Sequence, residues 1–227
     1  MLEPMIAAPK EGSNRRHANL SGQAMGTKGL ATRRRLIAAM VVLLERTPLR
    51  DLTVKAIASE AGMSPATFYI YFRSVRECLY AATRTISQST PAILEVLERD
   101  WSAESGIQNS WEFVMDHLEL WEQHRSLLRA RNLAAEEGDP DFLLQRRLSM
   151  EASGKALARQ AELQQRDGRL DPALSPMALS GALFAMLDLV SAVFHVHEHK
   201  RPAAERGQVD AAAFVVAAAL GCPGVVE

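Results

Sequence analysis

Apolar residues recur along this chain every three to four positions and almost never alternate, a pattern that predicts helices and little or no sheet. From Thr32 to Glu45, Leu36, Ile37, Met40, Val41 and Leu44 share one helical face. Thr53 to Phe72 then reads as two short helices around a tight turn. Thr53 can cap the first, which places Val54, Ile57, Ala58 and Ala61 on one face. Gly62 supplies a left-handed residue to end it, and Met63 covers the corner. Ser64 caps the second helix, and Pro65 occupies its first turn, where a missing N–H costs nothing. So tight a turn throws the second helix across the first and leaves an exposed helix end that can enter a DNA major groove, a helix-turn-helix over about 53–72. Ser74-Val75-Arg76-Glu77 is a capping box that opens the next helix.

The remaining pattern is helical too. Val75 to Asp100 continues as helix, kinked or broken where Pro91 follows Ser89-Thr90. Gly106 marks a new start, with Phe113, Leu118, Leu120 and Trp121 on apolar faces between Ser110 and His124. Arg125 to Glu137 forms a short helix stopped by Gly138. Asp139-Pro140 opens a long one that ends near Gly168, with Phe142, Leu143, Leu148, Met150, Leu157, Ala161 and Leu163 expected inwards. After a linker at Pro172 to Pro176, Met177–His199 and Val209–Leu220 are apolar almost all round. Such helices must be covered on every side, as the monomer's own core or by their copies in a second chain. The second reading gives a four-helix bundle about a twofold axis, its backbones brought close by Ala211–Ala213 and Ala217–Ala219. An interface of that obligate kind buries roughly 2,000 Å² or more.

Composition fits: hydrophobic residues make up 48% and aromatics only 6%. Cys78 and Cys222 stand far apart without metal or redox spacing, which suits buried thiols in a reducing cytoplasm. Met1 to Lys10 has no apolar core of the signal-peptide kind, and the run Ala178 to Phe194 is interrupted by Asp188. The expected compartment is the cytoplasm. The net charge of −1 hides a sharp asymmetry. Residues 28–80 hold nine bases and four acids, a net of +5, whereas residues 81–227 hold fourteen bases and twenty-one acids, a net of −7. A basic module on an acidic body suits phosphate binding by one end alone. Residues 1–28 are rich in Gly, Pro, Ser, Asn and Ala and read as a disordered arm whose Arg15, Arg16 and Lys28 could add phosphate contacts. Either Met1 or Met25 could begin the translated protein.

Arg33 to Leu79 resembles the TetR family of bacterial transcriptional regulators. The residues that carry the likeness are Leu52-Thr53-Val54, Ala61-Gly62-Met63-Ser64, Thr67-Phe68-Tyr69-Ile70-Tyr71-Phe72 and Ser74-Val75-Arg76-Glu77. Ile70 stands where an aromatic is frequent and Tyr71 where His is frequent, departures that bear on base contacts rather than on the fold. The resemblance implies an all-α protein: an N-terminal three-helix DNA-binding domain (29–80) and a C-terminal helical domain for ligand binding and dimerisation (81–227). It implies a double-stranded operator as partner, near-palindromic because a homodimer through about 177–199 and 209–220 would read it.

Thr53 and Lys55 are placed for phosphates, as are Arg33 and Arg73, while Ser64, Pro65, Ala66 and Thr67 form the leading edge of the recognition helix. In resembling proteins the tyrosines matching Tyr69 and Tyr71 reach phosphates; Phe68 and Phe72 belong to the core. The resemblance further implies a cavity for a hydrophobic small-molecule effector. Trp111, Met115, Trp121, Met150, Phe184 and Met186 are candidates to line it, though the same residues serve equally as core. Arg129, Arg131 and Asn132 could provide a polar anchor for an anionic ligand head. His195, His197 and His199 beside Lys200-Arg201 lack the setting of a metal site, and no cofactor is expected. No nucleophile triad, paired-carboxylate motif or phosphate loop supports catalysis.

Overall fold

The computed structural model describes residues 20, 24–86, 91–102, 104–194 and 202–222, with backbone only for 193–194 and 202–206. Among the described residues the chain forms nine α-helices and no strand, in two units divided between Ala82 and Thr83.

The first unit holds α1 (Thr27–Leu44), α2 (Val54–Glu60), α3 (Pro65–Tyr71) and most of α4 (Val75–Thr83). α1 starts before Thr32, so Thr27 and Lys28 of the expected arm are helical; the arm's other residues, Leu20 and 24–26 apart, lie outside the described residues. The inward face of α1 is Leu36, Ala39, Met40 and Leu43, while Ile37, Val41 and Leu44 flank it half-buried. That face packs on α2, which packs on α3. Ile57, Phe68 and Phe72 close the core, the two Phe rings 5.5 Å apart. Cys78 is buried beside them in sequence, and burial pushes its thiol up to about 12, so it stays protonated.

The second unit is built on α5 (Pro91–Leu97), α6 (Gly106–Glu136), α7 (Pro140–Arg166), α8 (Pro176–Phe194) and α9 (Pro202–Ala219). Pro91 is the first residue of α5, a break rather than a kink; residues 87–90 lie outside the described ones. α6 is interrupted at His124 (φ −128°, ψ 18°), where the sequence divides into its two expected helices. Asp139 caps α7 by accepting from Asp141 N at 3.0 Å and Phe142 N at 3.4 Å. α6 packs against α5, α7, α8 and α9, and α7 against α5 and α8. Phe113, Leu157, Phe184 and Val216 lie in their shared core.

The inward stripe of α7 differs from expectation. Phe142, Leu157 and Ala161 are buried, but Leu143, Leu148 and Leu163 are exposed. Their places are taken by Gln145, Ser153, Gln160 and Gln164, which share the helical phase of Phe142. Two of these polar residues seal the end of α5: Gln160 Nε2 donates to the carbonyls of Leu97 (2.7 Å) and Arg99 (3.0 Å), and Gln164 Nε2 to that of Trp101 (2.8 Å). The last described turn is pinned by glycines. A Cβ on Gly106 would stand 2.3 Å from Cys222 Cβ, and one on Gly221 (φ +65°) 2.3 Å from the Arg169 carbonyl oxygen.

Candidate functional site

The α2–turn–α3 segment is built by its own sequence. Thr53 Oγ1 accepts from Ala56 N (3.1 Å), and Gly62 adopts φ +66°. Met63 N donates to Ala58 O (2.8 Å), which closes the corner. Ser64 Oγ accepts from Thr67 N (3.2 Å) and lies 3.0 Å from the Thr67 hydroxyl. Ser74 Oγ accepts from Glu77 N (3.2 Å), but Glu77 Oε2 reaches back to Arg73 N (2.6 Å), one residue beyond the usual capping-box partner.

The exposed edge of α3 consists of Pro65, Ala66, Tyr69 and Ile70, with Thr67 and Tyr71 half-buried. Thr53, Lys55, Ser64 and Arg73 are exposed in the same unit. Arg33 lies over the Phe72 ring, 5.0 Å from its centroid, and the Tyr71 hydroxyl sits close to Gly29. Arg35 Nη2 donates to the Ala61 carbonyl (2.8 Å), a cation on the C-terminal end of α2 that favours the helix dipole. Leu20 N donates to Ile70 O (3.1 Å), so the chain before α1 returns to the end of the recognition helix.

In the body, four of the sequence-predicted pocket residues share one hydrophobic core: Phe184 belongs to it, and Trp111, Met150 and Met186 pack against it. Trp121 and Phe184 are buried, Trp111 donates to Asp210 Oδ1 (3.2 Å), Met150 and Met186 are half-buried, and Met115 is exposed. Arg129 points to the exposed side, because α6 buries Leu127, Leu128, Arg131, Ala134 and Ala135 instead. Arg131, at 3% exposure, is the buried guanidinium. Its neighbourhood is polar. Asp188 Oδ1 accepts from Trp121 Nε1 (3.1 Å), and Asp188 Oδ2 pairs with Arg146 Nη2 (3.2 Å). His117 Nε2 stands at ion-pair distance from Asp188 Oδ1 (3.4 Å), and neither buried ring nitrogen makes a hydrogen bond. Burial alone would raise the Asp188 carboxyl, but His117, the Trp121 N–H and Arg146 outweigh it and hold the group below the usual carboxylate range.

Sequence reasoning named Arg131, Asn132 and Trp121 as ligand-site candidates but did not join them to Asp188, Arg146 and His117. Asp188 interrupts an apolar run, and Arg131 shares the phase of Leu127, Leu128, Ala134 and Ala135, which are the two signals that point to this cluster. His195, His197 and His199 lie outside the described residues. No group of three metal-capable side chains occurs among the described residues, and no described helix is long and apolar enough to cross a membrane.

A capped helix-turn-helix on a separate helical body defines the architecture of a helical regulator with a reading head. Residues 36–82 match the profile described as bacterial regulatory proteins, tetR family, and residues 94–210 that of the tetracyclin repressor-like C-terminal domain. The chain belongs to the TetR family. It is 31% identical over 101 residues to the HTH-type transcriptional regulator EthR of Mycobacterium tuberculosis, a match covering 44% of this chain and 46% of that protein. The chain thus spans about half the length of the curated relatives it matches. A TetR-family regulator from Streptomyces coelicolor has the same fold at TM-score 0.64 and 14% identity, covering 86% of this chain and 82% of that one. FadR from Bacillus subtilis, solved in complex with stearoyl-CoA, superposes at TM-score 0.61 and 15% identity, over 79% of this chain and 97% of that one.

Proposed function

We propose that this protein is a homodimeric transcriptional repressor that binds a near-palindromic operator and is released by a small molecule with an apolar body. The carrying observation is the doubly capped turn that presents Pro65, Ala66, Thr67 and Tyr69 on the short helix α3 of a module with net charge +5. Small side chains at that edge allow close approach to base edges and thymine methyls, while Thr53, Lys55, Tyr69, Tyr71, Arg33 and Arg73 supply phosphate contacts. With few base contacts, affinity is largely electrostatic and falls steeply with salt. The setting is the cytoplasm.

Dimerisation is supported by two apolar rows. α8 exposes Ala178, Gly181, Ala182, Ala185 and Leu189, and α9 exposes Ala211, Phe214, Val215 and Ala218, each set at helical spacing. Leu189 at 67% and Phe214 at 50% exposure are costly to leave in water, and a second copy covers both rows about a twofold axis. Ligand binding by FadR from Bacillus subtilis supports an effector here too. The two units are joined in sequence by α4, whose last residue, Thr83, donates to Gln145 Oε1 of α7 (2.7 Å). An effector that favours one arrangement of the body therefore has a covalent route to the reading head.

Selection of bound duplexes from a random pool, followed by titration across a salt series, tests the reading. A selected near-palindrome bound by a dimer with a steep salt slope is expected. A monomer that shows no preference among duplexes at low salt refutes it.

A further inference from the structure

We propose that the buried polar cluster of α6, α7 and α8 receives the headgroup of a small organic acid, a single carboxylate held by Arg131 and Arg146. The inference deepens the ligand-responsive reading above and rests on it for its regulatory consequence, though not for the binding itself.

Charge is the first observation. Arg131 and Arg146 lie near one carboxylate, Asp188, so the two guanidinium groups exceed it by one positive charge. Arg131 is almost wholly buried, yet every acceptor it meets is neutral. Its Nε (3.1 Å) and Nη2 (3.0 Å) donate to Asn132 Oδ1, and its Nη1 (3.0 Å) to Ser149 Oγ. A guanidinium has five N–H groups, so two remain. Burial draws Arg131 down to about 10; the nearby Asp188 offsets this only in part, and Arg146 adds to it. Buried arginines retained for architecture come with a carboxylate of their own. Asp188 is already committed to Arg146 and Trp121.

The second observation is independent of charge. His117, 4% exposed, and Ser191, fully buried, have side-chain polar atoms with no hydrogen-bond partner. Both can donate, and both belong to the helix faces that carry Trp121 and Asp188, one turn away in each case. Together with the two spare N–H groups of Arg131, these side chains supply donors enough for the two oxygens of a carboxylate. A carboxylate supplies two acceptor oxygens and one negative charge, which balances the excess; a phosphate dianion overshoots it. The surroundings select an organic body. The Phe184 ring lies 5.9 Å from His117 and 5.6 Å from Phe113. Arg146, with 29% of its side chain exposed, connects the cluster to solvent.

The test uses the full chain without DNA. Thermal unfolding is followed by tryptophan fluorescence in linear monocarboxylates from acetate to decanoate and in phenylacetate, each against its methyl ester, with inorganic phosphate as a further probe. At least one carboxylate should raise the midpoint by a few degrees at saturating concentration while its ester does not. R131M should abolish that response and, having lost an uncompensated charge, unfold above the ligand-free parent. R131K, which keeps the charge but not the fork, should retain a weakened response. Three results overturn the proposal: no carboxylate outperforming its ester, phosphate alone stabilising, or R131M losing stability as a purely structural arginine would. Operator titration is scored separately. A carboxylate that stabilises the body but leaves operator affinity unchanged removes the regulatory reading and keeps the site, whereas release by esters alone removes the site and keeps the regulator.

Discussion

Asp188→Asn tests how far one carboxylate holds the body together. Asp188 is 6% exposed and engages Trp121 and Arg146, with His117 alongside. Removing one member of a buried ion pair costs about 3–5 kcal/mol, because the other charge is left behind. Arg146 can turn partly to water, which favours the lower end, but Arg131 at 3% exposure cannot. About 3 kcal/mol is expected, which for a protein of this length lowers Tm by about 6–12 °C. All three tryptophans, Trp101, Trp111 and Trp121, lie in the second unit, so fluorescence during denaturant or thermal unfolding reports that unit alone. The folded carboxyl titrates below its unfolded value, so its stabilisation is fully present above the ordinary carboxylate range and is lost as pH falls through the depressed folded value. The gap between the parent and Asp188→Asn should therefore be widest near neutrality and close in acid. A loss under 1 kcal/mol at neutral pH, or a gap that persists unchanged into acid, would refute this account of the cluster.

Ser64→Ala removes the cap of α3 and should cost about 1 kcal/mol in urea unfolding followed by far-UV circular dichroism, with weaker binding to every duplex. Tyr69→Phe should weaken binding uniformly across sequences, whereas substitutions at Ala66 or Thr67 should change which sequence is preferred; equal behaviour of the two kinds in competitive gel shifts would break that division of labour. Gly106→Ala drives a methyl into Cys222 and should cost about 1–3 kcal/mol in thermal unfolding, less in a Cys222→Gly background where the clashing atoms are gone. Additive effects of that pair would show that the close approach is unimportant.

The reading head was legible because its determinants are local. Thr53, Gly62, Ser64 and Pro65 each act within a few residues, and the structure places the caps and the turn where the sequence predicts them. The exception within the head is equally instructive. α1 buries Leu36, Ala39, Met40 and Leu43 rather than the face running through Ile37 and Val41, a rotation by about one residue that only its packing on α2 could decide. In the body, hydrophobic spacing misled. Leu143, Leu148 and Leu163 looked like core, yet α7 turns Gln145, Gln160 and Gln164 inwards, because their partners lie some sixty residues away in sequence, at Thr83 and at the carbonyls ending α5. A glutamine whose amide meets a helix end can replace a leucine there, and no local pattern announces it.

That contrast separates the body's buried polar groups into two kinds. Gln145, Gln160 and Gln164 each have a hydrogen-bonded partner that closes a turn or a helix end, so the architecture accounts for them. Arg131, His117 and Ser191 have no such explanation: the first donates only to neutral oxygens, and the other two make no side-chain hydrogen bond, His117 standing only at ion-pair distance from Asp188. Folding alone selects against such groups, since apolar residues of similar volume would be more stable in the same place. Their opposite electrostatic demands should show in the variants: removing the cation at Arg131 relieves the cluster, and removing the anion at Asp188 aggravates it. A site whose two charged members respond with opposite signs is poised for an outside anion, and Asp188→Asn, with more positive charge left over, should bind the effective carboxylate more tightly than the parent does.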